Sequence, residues 1–358
     1  MTHGTDIPPT RRGRLNRWLL ALLALLPLMA AAALVDGPNA TVYAIARGAD
    51  GTTYLGGDFT LWGPRTGGFG ALATTDGAVD HNFPRVAGTV YAIQSDGAGG
   101  WFIGGVFTAV GGLARTNLAR IDSSGAVTAW APAADNYVRA LALSGTTLYA
   151  GGDFTAITPP GGSATTRNRL AAISTADTGS LTAWAPAASS TVHALALSGT
   201  TLYAGGDFTT ITPPGGSATS RNRLAAINTT DTGSLTTWAP AADSTVYALA
   251  LSGTTLYAGG AFATITPSGS TQTTRNRLAA ISTADTGSLT AWAPAALGTV
   301  RALALSGTTL YAGGQFTAIT RPAAARPPAP GWRRSAPPTP AASPTGRRPP
   351  TAPSMPWP

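Results

Sequence analysis

The chain has 358 residues with 44 glycines and only 11% charged residues, a balance that excludes a solvated helical protein and favours tightly turned β-structure. Its net charge of +8 would suggest nucleic acid if it lay in the body of the chain. Residues 1–35 carry four Arg and one Asp, the segment from Arg321 carries six Arg and no acid, and 36–320 keeps 13 Arg against 14 Asp, so no nucleic-acid partner is expected.

There is no cysteine, which excludes disulfides, zinc thiolates and thiol catalysis. Lys and Glu are also absent, and the Arg, Ala, Gly and Pro that dominate share GC-rich codons, pointing to a high-GC bacterial source. At the N-terminus Arg11, Arg12, Arg14 and Arg17 precede an apolar run from Trp18 to Val35. A basic region followed by an apolar segment and small residues has the layout of a secretory signal peptide, with cleavage expected within or just after Ala30–Ala33. At about 18 residues the run is also just long enough to span a bilayer as an uncleaved anchor. Either reading makes the body secreted or cell-surface, with membrane contact only through residues 1–35.

From 36 to 320 the sequence repeats. Units begin at Val42, Val90, Val138, Val192, Val246 and Val300, spaced 48, 48, 54, 54 and 54 residues apart. In the third unit VRALALS alternates apolar and polar positions, and Ser144-Gly145 reads as a two-residue hairpin turn. TTLYAGGDFTAI follows, its glycine pair standing where side chains would obstruct a neighbouring backbone. NRLAAIST and, after the DTGS turn, LTAWAPA read as the third and fourth strands. Short antiparallel strands repeated at this period predict an all-β β-propeller of four-stranded blades, five full and a partial sixth, incompletely closed. Trp130, Trp184, Trp238 and Trp292 recur at one position; packing against the next blade is the expected role, with a sugar-stacking platform as the alternative.

The stretch TTDGAVDHNFPRVAGTVYAIQSDGAGGWFIGGVFTAVGG resembles a delta-60 repeat, a bacterial propeller unit. The resemblance rests on D-G-x-x-D-x-x-F from Asp76 to Phe83, then G-x-V, then a strand ending G-G-x-F-T. From the third unit DTGSLTAWAP replaces the D-x-x-F element, moving those blades towards the kelch pattern. The resemblance implies an exported repeat protein without recognised catalytic residues.

The segment from Arg321, RPAAARPPAPGWRRSA onward, breaks the repeat. If one base is lost after the Thr320 codon, the same bases in the restored frame can read PPGGSATTRTRLAAIS and then TADTGSLTDWAPAADSTVYALA. Every residue of 321–358 except Pro330 and Thr345 permits the repeat's residue, and the hidden Val falls at 354, one 54-residue period after Val300. The tail is therefore expected to be an out-of-frame repeat. As translated, its Pro/Arg-rich composition is expected to be disordered.

Chemistry-bearing motifs are few. The three histidines are His3, His81 and His193, and no zinc-protease, nucleophile-elbow or phosphate-cradling motif occurs. Asp58, Asp153 and Asp207 of the Gly-Gly-Asp-Phe segments become Val106, Ala261 and Gln315 in other units, which favours turn-capping over catalysis or metal binding. Asp177, Asp231 and Asp285 read the same way. One position varies among near-identical units: the residue after each starting Val is Tyr43, Tyr91, Arg139, His193, Tyr247 or Arg301. The kelch pattern places it on the innermost strand, so the six are expected to line an axial channel and to offer an anionic or carbohydrate ligand stacking and charge-assisted hydrogen bonds; drift at a wet channel position is the alternative. The expected function is a non-enzymatic binding or surface-interaction module for an extracellular carbohydrate or protein, without cofactor or metal. The competing readings are a propeller enzyme acting on glycans as a lyase or hydrolase, and a non-functional frameshifted gene product.

Overall fold

The computed structural model describes residues 38–48, 52–60, 67–72, 79–80 and 83–321. The expected signal or anchor segment, most of the Asp76–Phe83 motif including His81, and the tail from Pro322 lie outside the described residues. Every regular element within them is a strand, as the composition and turn spacing predict.

The third unit shows how the sequence builds each sheet. Val138–Ser144 pairs antiparallel with Thr147–Gly152, which pairs with Leu170–Ser174. The hairpin is closed by Gly145 and Thr146, between the paired Ser144 and Thr147. The turn therefore sits one residue later than Ser144-Gly145, because Gly145, at φ 53, takes the left-handed conformation that the first turn position requires. The same three-stranded order recurs with Val192–Ser198, Thr201–Gly206 and Leu224–Asn228, and with Val246–Ser252, Thr255–Gly260 and Leu278–Ser282.

LTAWAPA does not form a fourth full strand. It touches the sheet through single bridges, Ile173 to Leu181, Ile227 to Leu235 and Ile281 to Leu289. The segment instead turns away so that the alanine pair at its end reaches the following unit. Ala133–Ala134 pairs with Ile157 and Thr158, Ala187–Ala188 with Ile211 and Thr212, and Ala241–Ala242 with Ile265 and Thr266. The third, fourth and fifth units thus each carry a small second sheet, one outer strand of which comes from the predecessor. The blades are three-stranded plus a one-residue bridge rather than four-stranded. The first two units differ again: their strands merge into one sheet through a parallel pairing of Gly67–Leu72 with Val86–Ser95.

Successive sheets pack face on face, and their first strands lie side by side from Val42–Arg47 round to Ala295–Ser306. This is a propeller-like arrangement. One fitting repeats at five joints. The first glycine of each pair leaves a hole, and the Val that opens the next unit fills it. A β-carbon on Gly56, Gly104, Gly151, Gly205 or Gly259 would lie 2.6–2.7 Å from Cγ1 of Val90, Val138, Val192, Val246 or Val300. Apolar clusters surround each joint; between the third and fourth units Tyr149, Leu170 and Trp184 meet Val192, Leu202 and Phe208.

Candidate functional site

The six variable residues share one backbone device. In every unit the register slips between the starting Val and the Ala two residues on, so Tyr43, Tyr91, Arg139, His193, Tyr247 and Arg301 each occupy a β-bulge. A bulge leaves its extra residue outside the ladder and re-aims the side chain. Here it aims at the residue after the glycine pair of the same hairpin. The Nε–H of Arg139 donates to Asp153 Oδ2 at 2.6 Å, His193 Nε2 lies 2.8 Å from Asp207 Oδ2, and the Tyr43 hydroxyl reaches Asp58 Oδ2 at 3.4 Å. In the sixth unit the Arg301 guanidinium donates to Gln315 Oε1 at 3.2 Å. Where the bulged residue is Tyr91 or Tyr247, the opposing position is Val106 or Ala261.

The Gly-Gly-Asp carboxylates are therefore partners of the belt residues, not caps of their own turns. Two of them, Asp153 and Asp207, also tie units together. The hydroxyls of Thr191 and Thr245, which precede the starting Val of the next unit, donate to the other oxygens of Asp153 and Asp207. The DTGS aspartates do cap turns: Asp177 Oδ1 accepts from the backbone N–H groups of Gly179 and Ser180. The Ser288 hydroxyl, followed by backbone N–H groups, pulls Asp285 down to about 2.

Neighbouring first strands carry the six residues in a row, a belt whose side chains meet in two groups. The rings of Tyr43 and Tyr91 are 4.9 Å apart, and Tyr91 and Tyr137 5.9 Å. Arg139 stands over both Tyr91 and Tyr137, at 5.4 and 5.2 Å from their centroids. His193 meets Tyr247 at 5.0 Å, and Arg301 covers Tyr247 at 4.9 Å. Cation–π stacking fixes the guanidinium planes against the rings. Burial pushes the Tyr91 hydroxyl up, with Tyr43 beside it adding to the effect. Burial also pushes His193 down, against the opposing pull of Asp207. Tyr137, the residue before its starting Val, is a belt member that the repeat comparison missed, because the other units carry Thr there.

The belt presents flat aromatic faces bordered by donors and acceptors. Two of its carboxylates, Asp153 and Asp207, have both oxygens engaged. Among the described residues no group of three or more His, Cys, Asp or Glu side chains is placed to hold a metal ion. The tryptophans lie elsewhere and are joints between units. Trp130, Trp184 and Trp238 are buried and donate from Nε1 to the backbone carbonyls of Ser174, Asn228 and Ser282 in the following unit.

No family model matches the chain, and no curated protein does. Among solved structures it is similar to the computationally designed Ika8 protein, with 13% identity and a TM-score of 0.36 over 80% of this chain and 96% of that one. The computationally designed Ika4 protein gives 14% identity and a TM-score of 0.32 over 52% of this chain and 92% of that one. A chain of the Mitotic Checkpoint Complex gives 12% identity and a TM-score of 0.44 over 80% and 86%. At such scores none of the three bears on fold or function, which rest on the strands and side chains above.

Proposed function

We propose that the chain is an exported, non-enzymatic propeller of the delta-60 kind, with five full blades and a partial sixth, and that it binds a carbohydrate on the belt. The observation that supports this reading is two runs of stacked rings and paired polar groups, Tyr43 to Arg139 and His193 to Arg301. Tyrosines offer flat apolar faces with hydroxyl tips, and Arg–carboxylate pairs offer fixed donors and acceptors, the two things a sugar ring needs at once. At Arg139 an anionic ligand is the poorer fit, since Asp153 already compensates that charge. A general acid–base role for Asp153 or Asp207 is disfavoured in the same way, because each spends both oxygens on neighbours.

A glycan array probed with the full chain tests the proposal. Retention on at least one glycan is expected, and Tyr43→Ala with Tyr137→Ala should weaken it about tenfold or more, as for loss of central aromatic contacts. No retained glycan, or binding indifferent to the two substitutions, overturns it.

A further inference from the structure

The joint that repeats five times leaves two unmatched halves among the described residues. At the sixth unit Gly313 keeps its hole open: a β-carbon there would meet only the Ala302 Cβ, 3.9 Å away. Beside it Tyr311, the counterpart of Tyr149, is 59% exposed where Tyr149 is 4%. At the first unit Val42 fills no glycine of a preceding unit and packs on Leu55 and Phe59 of its own. Ile45, the counterpart of Leu141, is 71% exposed where Leu141 is 9%.

We propose that these halves belong together between molecules: the sixth-unit face of one copy receives Val42 and Ile45 of a second copy, and the chain associates head to tail. The occupant is specified by the fold. Wherever the glycine hole is filled, it is filled by the Val that opens a unit, with a Leu or Ile three residues on against the aromatic face. Among the described residues Val42 and Ile45 are the one such pair that seats in no glycine hole, and they belong to the first unit while Gly313 belongs to the sixth. Apolar faces of this kind gain by removal from water. Because the two faces differ, the contact is heterologous, so assembly continues until a ring closes or a fibre grows. This contact is face to face, distinct from pairing at exposed strand edges.

Sedimentation velocity of the full chain across a concentration series tests it. Ile45→Arg and Gly313→Leu alter positions that no described residue of the chain covers, and Gly313 lies outside the left-handed region, so thermal melting of the unassociated protein should be unchanged. Each variant alone should associate about 30-fold or more weakly, the scale of losing one central contact. Mixed in equal amounts they should form a discrete heterodimer, since the Ile45→Arg copy keeps its sixth-unit face and the Gly313→Leu copy keeps its first-unit face. A chain that stays monomeric, single variants that associate like the unmodified protein through edges or through the apolar run 18–35, or a mixture that forms no heterodimer overturns the proposal.

Discussion

The indole N–H of Trp184 donates to the backbone carbonyl of Asn228, 44 residues away in the next unit, at 2.7 Å. The same bond runs from Trp130 to Ser174 and from Trp238 to Ser282 at 2.8 Å. The indole also meets the Tyr149 ring edge-on at 5.0 Å, so one side chain fastens its own second strand and its neighbour's third. Trp184→Phe keeps most of the apolar contact but leaves the Asn228 carbonyl unmatched. It should lower stability by about 1–3 kcal/mol, the cost of an orphaned buried acceptor. Urea unfolding measures this, and a neutral result would show that the indole–carbonyl bond does not fasten the joint.

The glycine holes make a sharper prediction. Gly151→Val places branched carbons where Val192 Cγ1 already lies, 2.7 Å from the position of a β-carbon. Overpacking of this kind costs about 1–3 kcal/mol. Combining it with Val192→Ala should recover part of the loss, giving a coupling of about 0.5 kcal/mol or more in a double-mutant cycle. Strict additivity of the two substitutions would show that the hole and the knob are not one fitting.

Much of this architecture is legible in the sequence, and where it is not the reasons are physical. The period, the hairpins and the packing role of the tryptophans follow from spacing alone. The glycine pair announces a close approach, yet only the structure separates its two causes. The first glycine of the third unit faces the side chain of Val192, and the second, Gly152, faces the backbone carbonyl of Tyr137. LTAWAPA reads as a strand because its pattern is that of one, but after a single bridge at Leu181 it crosses to the next unit. No local signal marks that exchange. The belt pairs were within reach. Arg139, His193 and Tyr43 come with Asp153, Asp207 and Asp58, while Tyr91 and Tyr247 come with Val106 and Ala261. Two positions varying together across one hairpin is the signature of a contact, whereas a capping role predicts no such link.

His193 should make stability depend on pH. Its folded value lies below the ordinary 6.5, chiefly through burial. The unfolded chain therefore binds the proton more readily than the native one. The sign follows: stability from this residue is complete above pH 6.5 and is lost as pH falls from there through the lower folded value. His193→Tyr, which copies the hydroxyl–carboxylate pair of Tyr43 and Asp58, should flatten the fall in melting temperature between about pH 7 and pH 5. Asp285 acts lower, its contribution being present above 3.8 and lost down to about 2, so the two groups separate on a pH scan. An unchanged slope in His193→Tyr would assign the neutral-to-acid loss to other groups.

The last prediction concerns the bases that follow the Thr320 codon. In the restored frame residue 336 would read Ser and residue 354 would read Val, one 54-residue period after Ser282 and Val300. Those are the two positions that the sixth unit needs. Ser282 accepts the Trp238 indole proton, so its counterpart at 336 would accept that of Trp292. Val300 fills the hole at Gly259, so a Val at 354 would fill the hole at Gly313, which a β-carbon on that glycine shows to be open. Inserting one base after codon 320 should thus give a third strand to the sixth unit, remove the protease sensitivity expected just after Thr320, and bury Tyr311. It should also abolish head-to-tail association through Gly313, since the chain's own Val would occupy the site. Limited proteolysis and sedimentation of the two chains side by side check these outcomes, and resequencing the locus checks the premise. Bases that do not spell the repeat in the shifted frame, or an inserted chain as easily cut after Thr320 as the original, would refute the out-of-frame reading and leave the arginines and prolines of 321–358 to be explained on their own terms.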